Sequence, residues 1–114
     1  MKRIAYADAV IGTDAEVAGL VVDYARRLAQ LGQADTVRVP GVPESGRTQE
    51  VDLLLGPSSQ ITVYEDDEPF EGDAAACVED LRGRLRALDA GIAVSDEPGL
   101  SDPDDPADPA AAAV

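Results

Sequence analysis

Val51–Val63 reads "VDLLLGPSSQITV", the most apolar run of the chain, broken by Gly-Pro-Ser-Ser-Gln at Gly56–Gln60. Before the break Val51, Leu53 and Leu55 alternate with Glu50, Asp52 and Leu54. After it Ile61 and Val63 alternate with Thr62 and Tyr64. A period of two over runs of this length is the pattern of half-buried strands. A phosphate-binding loop in the break would need a helix after it, so that backbone amides and the helix dipole met the anion. A serine nucleophile at a strand-to-helix elbow needs the same helix and a base. A strand pattern follows instead, and the chain has no histidine and one lysine, Lys2. The break therefore reads as the loop of a hairpin, with Pro57 at the second position of a turn that starts at Gly56. On this reading Ser58 and Ser59 can both become alanine without loss of fold or activity.

Upstream, Lys2–Ile11 reads as one extended entry, with Ile4 and Tyr6 alternating against Arg3 and Ala5 and a break or bulge near Asp8. Thr13 is the expected N-cap of a first helix, with Glu16 three residues on completing a capping box. Val17, Leu20, Val21, Tyr24, Leu28 and Leu31 follow at spacings of three and four, an apolar stripe that Gly32 ends as the C′ residue. Arg26 and Arg27 lie toward the C-terminal end, where the dipole favours cations. Val37 and Val39 mark a strand that Pro40 is expected to stop. "PGVPESGR" then reads as a polar connection.

Downstream of the predicted hairpin, "EDDEPFEGD" is an acidic loop, and Gly72 or Asp73 opens a second helix. Ala74, Cys77, Val78, Leu81, Leu85 and Leu88 form its apolar face, and Gly91 closes it. Gly83, inside that pattern, costs roughly 1 kcal/mol relative to alanine and suits close packing on a sheet. Ile92 and Val94 suit a last short extended segment. From Ser95 onward four prolines and six acids accompany a single leucine, too little apolar surface to offset ordering, so residues 95–114 read as a disordered acidic tail. Truncation after Val94 should leave folding intact.

The predicted order is strand-helix-strand-strand-strand-helix. A strand-helix-strand start implies a right-handed crossover between parallel strands, and the later strands join as antiparallel hairpins. The expected fold is a two-layer α/β (α+β) sandwich, a mixed four-stranded sheet with two helices on one face, spanning residues 1–94 as a single small domain.

Charge and inventory bound the function. Twenty-three acids face nine bases, eight of them arginine, for a formal net charge of −14. Six of those acids lie in the tail, which leaves the body with seventeen against nine, a net −8. Such a field repels phosphate backbones and anionic membrane surfaces, so neither nucleic acid nor membrane is an expected partner. The scarcity of lysine beside abundant alanine, aspartate and arginine fits a GC-rich bacterial or a salt-adapted genome. One cysteine, Cys77, excludes an internal disulfide framework and fits a reducing cytosol. There is no signal segment at the start and no long apolar run, so a cytoplasmic protein is expected.

Cys77 reads as a small core residue, and a reactive thiol there would need nearby cations. The acidic loop lacks the alternating ligands and central glycine of a calcium loop. Arg82, Arg84 and Arg86 cluster on the second helix. Arg82 and Arg86 share a face fit to bind a phosphate or an acidic partner, although Glu79 and Asp80 are spaced to pair with Arg82 and Arg84 along the helix. No catalytic, cofactor or metal residue is expected. The favoured function is a small acidic, non-catalytic protein-interaction or accessory module. Alternatives are an inhibitor that mimics nucleic acid toward a basic protein, and a small enzyme using carboxylates and arginine. The expected partner surface is Leu54 and Tyr64, side by side on the face without helices, together with Arg82 and Arg86. The partner is another protein or a second copy in a symmetric dimer, joined through that face or through a free edge beside "TVRVP" or "ITVYE".

Overall fold

The structure, a computed structural model, describes residues 1–44 and 46–91. The predicted tail at 95–114 and the segment Ile92–Val94 lie outside the described residues. Seven elements follow in order: β1 (Lys2–Tyr6), β2 (Ala9–Thr13), α1 (Ala15–Leu31), β3 (Asp35–Pro43), β4 (Gln49–Leu55), β5 (Ile61–Glu65) and α2 (Ala75–Asp89). The class is α+β. The sheet has five strands rather than four, in the order β4-β3-β2-β1-β5, and every pairing is antiparallel.

Three expectations about the sheet are corrected. First, the single entry strand is a hairpin: β1 and β2 pair from Lys2↔Thr13 to Tyr6↔Ala9, leaving a two-residue turn at Ala7–Asp8. Ala7 has φ 54°, the one positive-φ non-glycine among the described residues. A two-residue turn with positive φ at its first position normally carries glycine there.

Second, no parallel crossover forms. The crossover rule governs parallel strands, whereas β2 and β3, the strands on either side of α1, pair antiparallel through Ile11↔Pro43 and Gly12↔Val42. Buried Gly41 sits at that junction. A Cβ there would stand 3.0 Å from Ile11 Cδ1 and 3.2 Å from Val51 Cγ2, so the missing side chain lets those two residues close over the strand. Buried Thr13 ties the same place, donating from Oγ1 to the Pro40 carbonyl at 2.7 Å.

Third, β4 and β5 are not a hairpin. They occupy opposite edges of the sheet, with β4 on β3 from Asp35↔Leu55 to Gly41↔Gln49 and β5 on β1 from Lys2↔Glu65 to Tyr6↔Ile61. Gly56–Gln60 carries the chain from one edge to the other.

β3 also runs through Pro40 instead of stopping at it. The carbonyls of Pro40 and Arg38 accept from Thr13 Oγ1 and from Cys77 Sγ (3.6 Å), both on the side away from β4. Backbone direction alternates along an antiparallel ladder, so residue 40 has no N–H to offer β4 in any case, and proline costs no bond there.

The core draws on both helices and one sheet face. Ile4, Ile11, Val37, Val39, Leu53 and Leu55 point inward and meet Val17, Val21, Tyr24 and Leu28 of α1 and Leu81 and Leu88 of α2. The α1 stripe is buried as expected except at Leu20, which is half-buried, and Leu31, which is 52% exposed in the last turn. Gly32 is left-handed at φ 67°, and its N–H and that of Gln33 return to Ala29 and Leu28 in a Schellman-type close. The N-cap is Asp14, whose carboxylate accepts from the Glu16 and Val17 amides; Thr13 is withdrawn into the core. Glu16, freed from a capping box, pairs with Arg82 on α2, and Arg27 pairs with Asp89. Tyr24 Oη donates to Asp35 at 2.6 Å, and Arg84 pairs with both Asp35 and Asp80, joining α1, β3 and α2. Gly83 is not a close-packing position, since a Cβ there would meet only the Arg86 guanidinium, at 3.7 Å. No helix among the described residues is long and apolar enough to cross a membrane.

Candidate functional site

The Gly56–Gln60 segment is held by its second serine. Ser59 N donates to Gly56 O at 3.1 Å, and Gly56 N returns to Ser59 Oγ at 3.0 Å. The Ser59 hydroxyl then donates to the Leu54 carbonyl at 3.0 Å. Ser58 is exposed. The hydrogen bonds that close this turn are concentrated in Ser59.

A second hydroxyl reaches the same carbonyl: Tyr6 Oη donates to Leu54 O at 2.6 Å. Tyr6 is on β1 and Leu54 on β4, with β2 and β3 between them in the sheet, three spacings or about 14 Å if the sheet were flat. The sheet is therefore strongly curled, and the turn of the first hairpin faces the C-terminal end of β4.

That curl leaves a groove of about 410 Å³ between the first hairpin and β4. Buried Ile4, Ile11 and Leu53 line it, with half-buried Val51 and Tyr6 beside them. Asp8 stands at the turn end, and Asp52 borders the groove from β4. A neighbouring cavity of about 390 Å³ lies against Gly56–Gln60 and shares Tyr6 and Ala7 with the groove.

Backbone alternation decides what β4 offers to this groove. Residues Thr36, Arg38 and Pro40 of β3 turn their carbonyls away from β4: Arg84 Nη1 approaches Thr36 O at 3.5 Å, and Cys77 and Thr13 take the other two. Their register partners are Leu54, Asp52 and Glu50. In an antiparallel ladder both members of such a pair point their N–H and C=O outward. Leu54 O spends its capacity on Tyr6 and Ser59, while Glu50 and Asp52 face the free edge of β4. Among the described residues this strand edge is unpaired, and it runs beside an apolar groove.

On the outer surface, Arg38 holds Asp52 through two contacts at 2.9 and 3.3 Å, and that guanidinium keeps the carboxyl below its ordinary range. Glu50 is exposed and has no ion-pair partner among the described residues.

The residues expected to form a partner surface are not brought together. Leu54 and Tyr64 are exposed, at 57% and 47%, but stand on opposite edge strands, Leu54 opposite Thr36 and Tyr64 opposite Arg3. Their adjacency depended on the hairpin that does not form. Arg82 is engaged by Glu16 of α1 rather than by Glu79, and Arg86 is exposed in the last turn of α2. Neither edge of β3, the "TVRVP" strand, is free, because β4 covers one and β2 with α2 the other. Cys77 packs half-buried against the core beside Arg38 O, and burial pushes its thiol up to about 11.

The acidic loop begins as a clamp. The Asp66 carboxylate accepts from the Glu68 amide and pairs with Arg3, and these hold it below its ordinary range. The carbonyls of Asp66 and Glu68 receive the Met1 amino group. Among the described residues no group of three or more His, Cys, Asp or Glu is placed to hold a metal ion.

Sequence reasoning missed Tyr6, Ser59 and the turn at Ala7. Only the lapse of alternation at Asp8 signalled the turn. The chain matches no protein family, and no curated protein or solved structure is similar to it.

Proposed function

We propose that this chain is a small, non-catalytic protein-interaction module that accepts an extended segment of a partner protein as an added strand on the edge of β4. The observation that carries the reading is the backbone of Glu50 and Asp52, unpaired among the described residues, beside the groove lined by Ile4, Ile11 and Leu53. Strand addition draws affinity from main-chain hydrogen bonds and specificity from pockets that receive alternate side chains. Both parts lie next to each other here.

The nucleic-acid-mimic reading is less well supported. It needs free carboxylates ordered on one face, whereas Glu16, Asp23, Asp35, Asp52, Asp66, Asp80 and Asp89 are each engaged by an arginine. The dimer through Leu54 and Tyr64 has less support, because the two residues stand on opposite edge strands and not side by side across a hairpin.

The test is selection from a displayed library of random linear peptides, followed by rebinding to the Asp52→Pro variant. Proline at an outward-facing position removes an edge donor and leaves the β3–β4 ladder bonds in place. Peptides that bind the native protein and lose Asp52→Pro are the expected result. Enriched peptides that bind both proteins equally contradict the reading, as does a library from which nothing is enriched.

A further inference from the structure

Resting on the strand-addition reading, we infer that the segment recognised is basic and aliphatic in alternation: aliphatic side chains enter the groove and lysine or arginine side chains lie on the opposite face. A strand laid against β4 adopts its pleat, so successive side chains point to opposite faces. Inward positions fall beside Val51 and Leu53 and over Ile4 and Ile11, all aliphatic, and the groove lining, which Tyr6, Asp8 and Asp52 complete, holds no cation. Outward positions fall beside Glu50 and Asp52; Asp52 is already held by Arg38, so the free anion on this face is Glu50. Glu50 is unpaired among the described residues, Asp8 stands at the groove end, and the chain carries −14. Opposite charges directly across a strand pair stabilise it, and like charges destabilise it.

The same rule argues against a second copy on this edge. Antiparallel pairing of β4 with β4 of another molecule sets Glu50 and Asp52 against their own counterparts, inside a field that already repels. The "ITVYE" strand of a second copy brings Glu65 and no base. Chain beyond Gly91 is a poor occupant for the same reason, because it adds six acids and no base. A basic segment of a different protein is the occupant that the charges select, and its approach is accelerated by the net field.

Short capped peptides test this by titration into the full chain, followed through the amide signals of β4. One alternates lysine and valine, one alternates glutamate and valine, and one has the lysine-valine composition in two blocks. A fourth is the lysine-valine alternation N-methylated at every other amide. The alternating lysine peptide is expected to bind about tenfold or more tighter than both the glutamate and the block peptides, to shift Asp52, and to weaken with salt. Glu50→Gln is expected to weaken it by up to about fivefold, the range of one cross-strand charge pair.

If the glutamate peptide binds as tightly, and still requires unmethylated amides, the basic partner is overturned while strand addition stands. If the N-methylated or block peptide binds as well as the alternating one, association is diffuse charge attraction and strand addition falls with it. β4 signals that move with protein concentration and ignore every peptide assign the edge to a second copy. A native chain that binds none of the four overturns the proposal.

Discussion

Thr13→Val probes the junction where the fold departs from its sequence pattern. Thr13 is fully buried, and its hydroxyl donates to the carbonyl of buried Pro40 at 2.7 Å. Valine keeps the shape and removes the donor, so the Pro40 oxygen loses its partner at a cost of about 1–3 kcal/mol. The added methyl returns up to ~0.8 kcal/mol if it stays buried. The net loss is about 1–2 kcal/mol. For a folded body of this size each kcal/mol is ~4–8 °C in Tm, which gives a fall of roughly 5–15 °C.

Thermal melts and urea titrations measure it, with an unchanged m-value expected because the unfolded chain is the same. Thr13→Ser keeps the hydroxyl and should retain most of the stability. Asp14→Ala should cost about 1 kcal/mol as the loss of an N-cap. The reasoning is refuted if Thr13→Val melts within ~2 °C of the native protein. It is equally refuted if Asp14→Ala is silent, since the capping role would then return to Thr13.

Other consequences are smaller. Ala7→Gly relieves about 1–2 kcal/mol of left-handed strain against ~0.4–1 kcal/mol of added unfolded-state entropy, so a Tm equal to or a few degrees above native is expected. A clear loss would show that the Ala7 methyl packs usefully. Ser59→Ala should cost about 1 kcal/mol through its two lost bonds while exposed Ser58→Ala stays within ~0.5 kcal/mol, measured by urea midpoints. Equal effects would contradict the assigned turn. Burial raises the Cys77 thiol from its ordinary 9.0 to about 11, and burial with a bond to Asp35 raises the Tyr24 phenol. The unfolded chain then releases protons that the folded chain keeps, so the Cys77 contribution is whole below pH 9 and is lost as pH rises through 11. Urea midpoints against pH should decline over that window, and less so in Cys77→Ala; a flat profile contradicts the burial of the thiol.

Both helices were legible because each carries an apolar stripe at helical spacing, and Gly32 ends the first without ambiguity. The inward residues Val37, Val39, Leu53, Leu55, Ile61 and Val63 were legible for the same reason, since period two names a face. Period two does not name a partner. β5 pairs with β1 across about half of the chain, and nothing local distinguishes that from a hairpin with β4. The first hairpin was hidden because Ala7–Asp8 lacks the glycine or asparagine that its backbone favours. Pro40 looked like a stop because the direction of its carbonyl depends on register. Of the candidate site, the alternation of Val51 and Leu53 with Glu50 and Asp52 could be read directly. The groove could not, because Ile4, Ile11 and Tyr6 reach β4 only through the curl of the sheet.

Amide hydrogen exchange along β4 in the free protein, read residue by residue by NMR, addresses the open edge most directly. Val51 and Leu53 face β3 and should exchange slowly, while Glu50 and Asp52 face the groove side and should exchange far faster, an alternation repeated along one strand. Addition of the alternating lysine-valine peptide should slow Asp52 and leave the already protected Val51 and Leu53 little changed. Uniform slow exchange from Glu50 to Leu53 in the free protein would mean that the edge is already paired, and would contradict an open strand-accepting site.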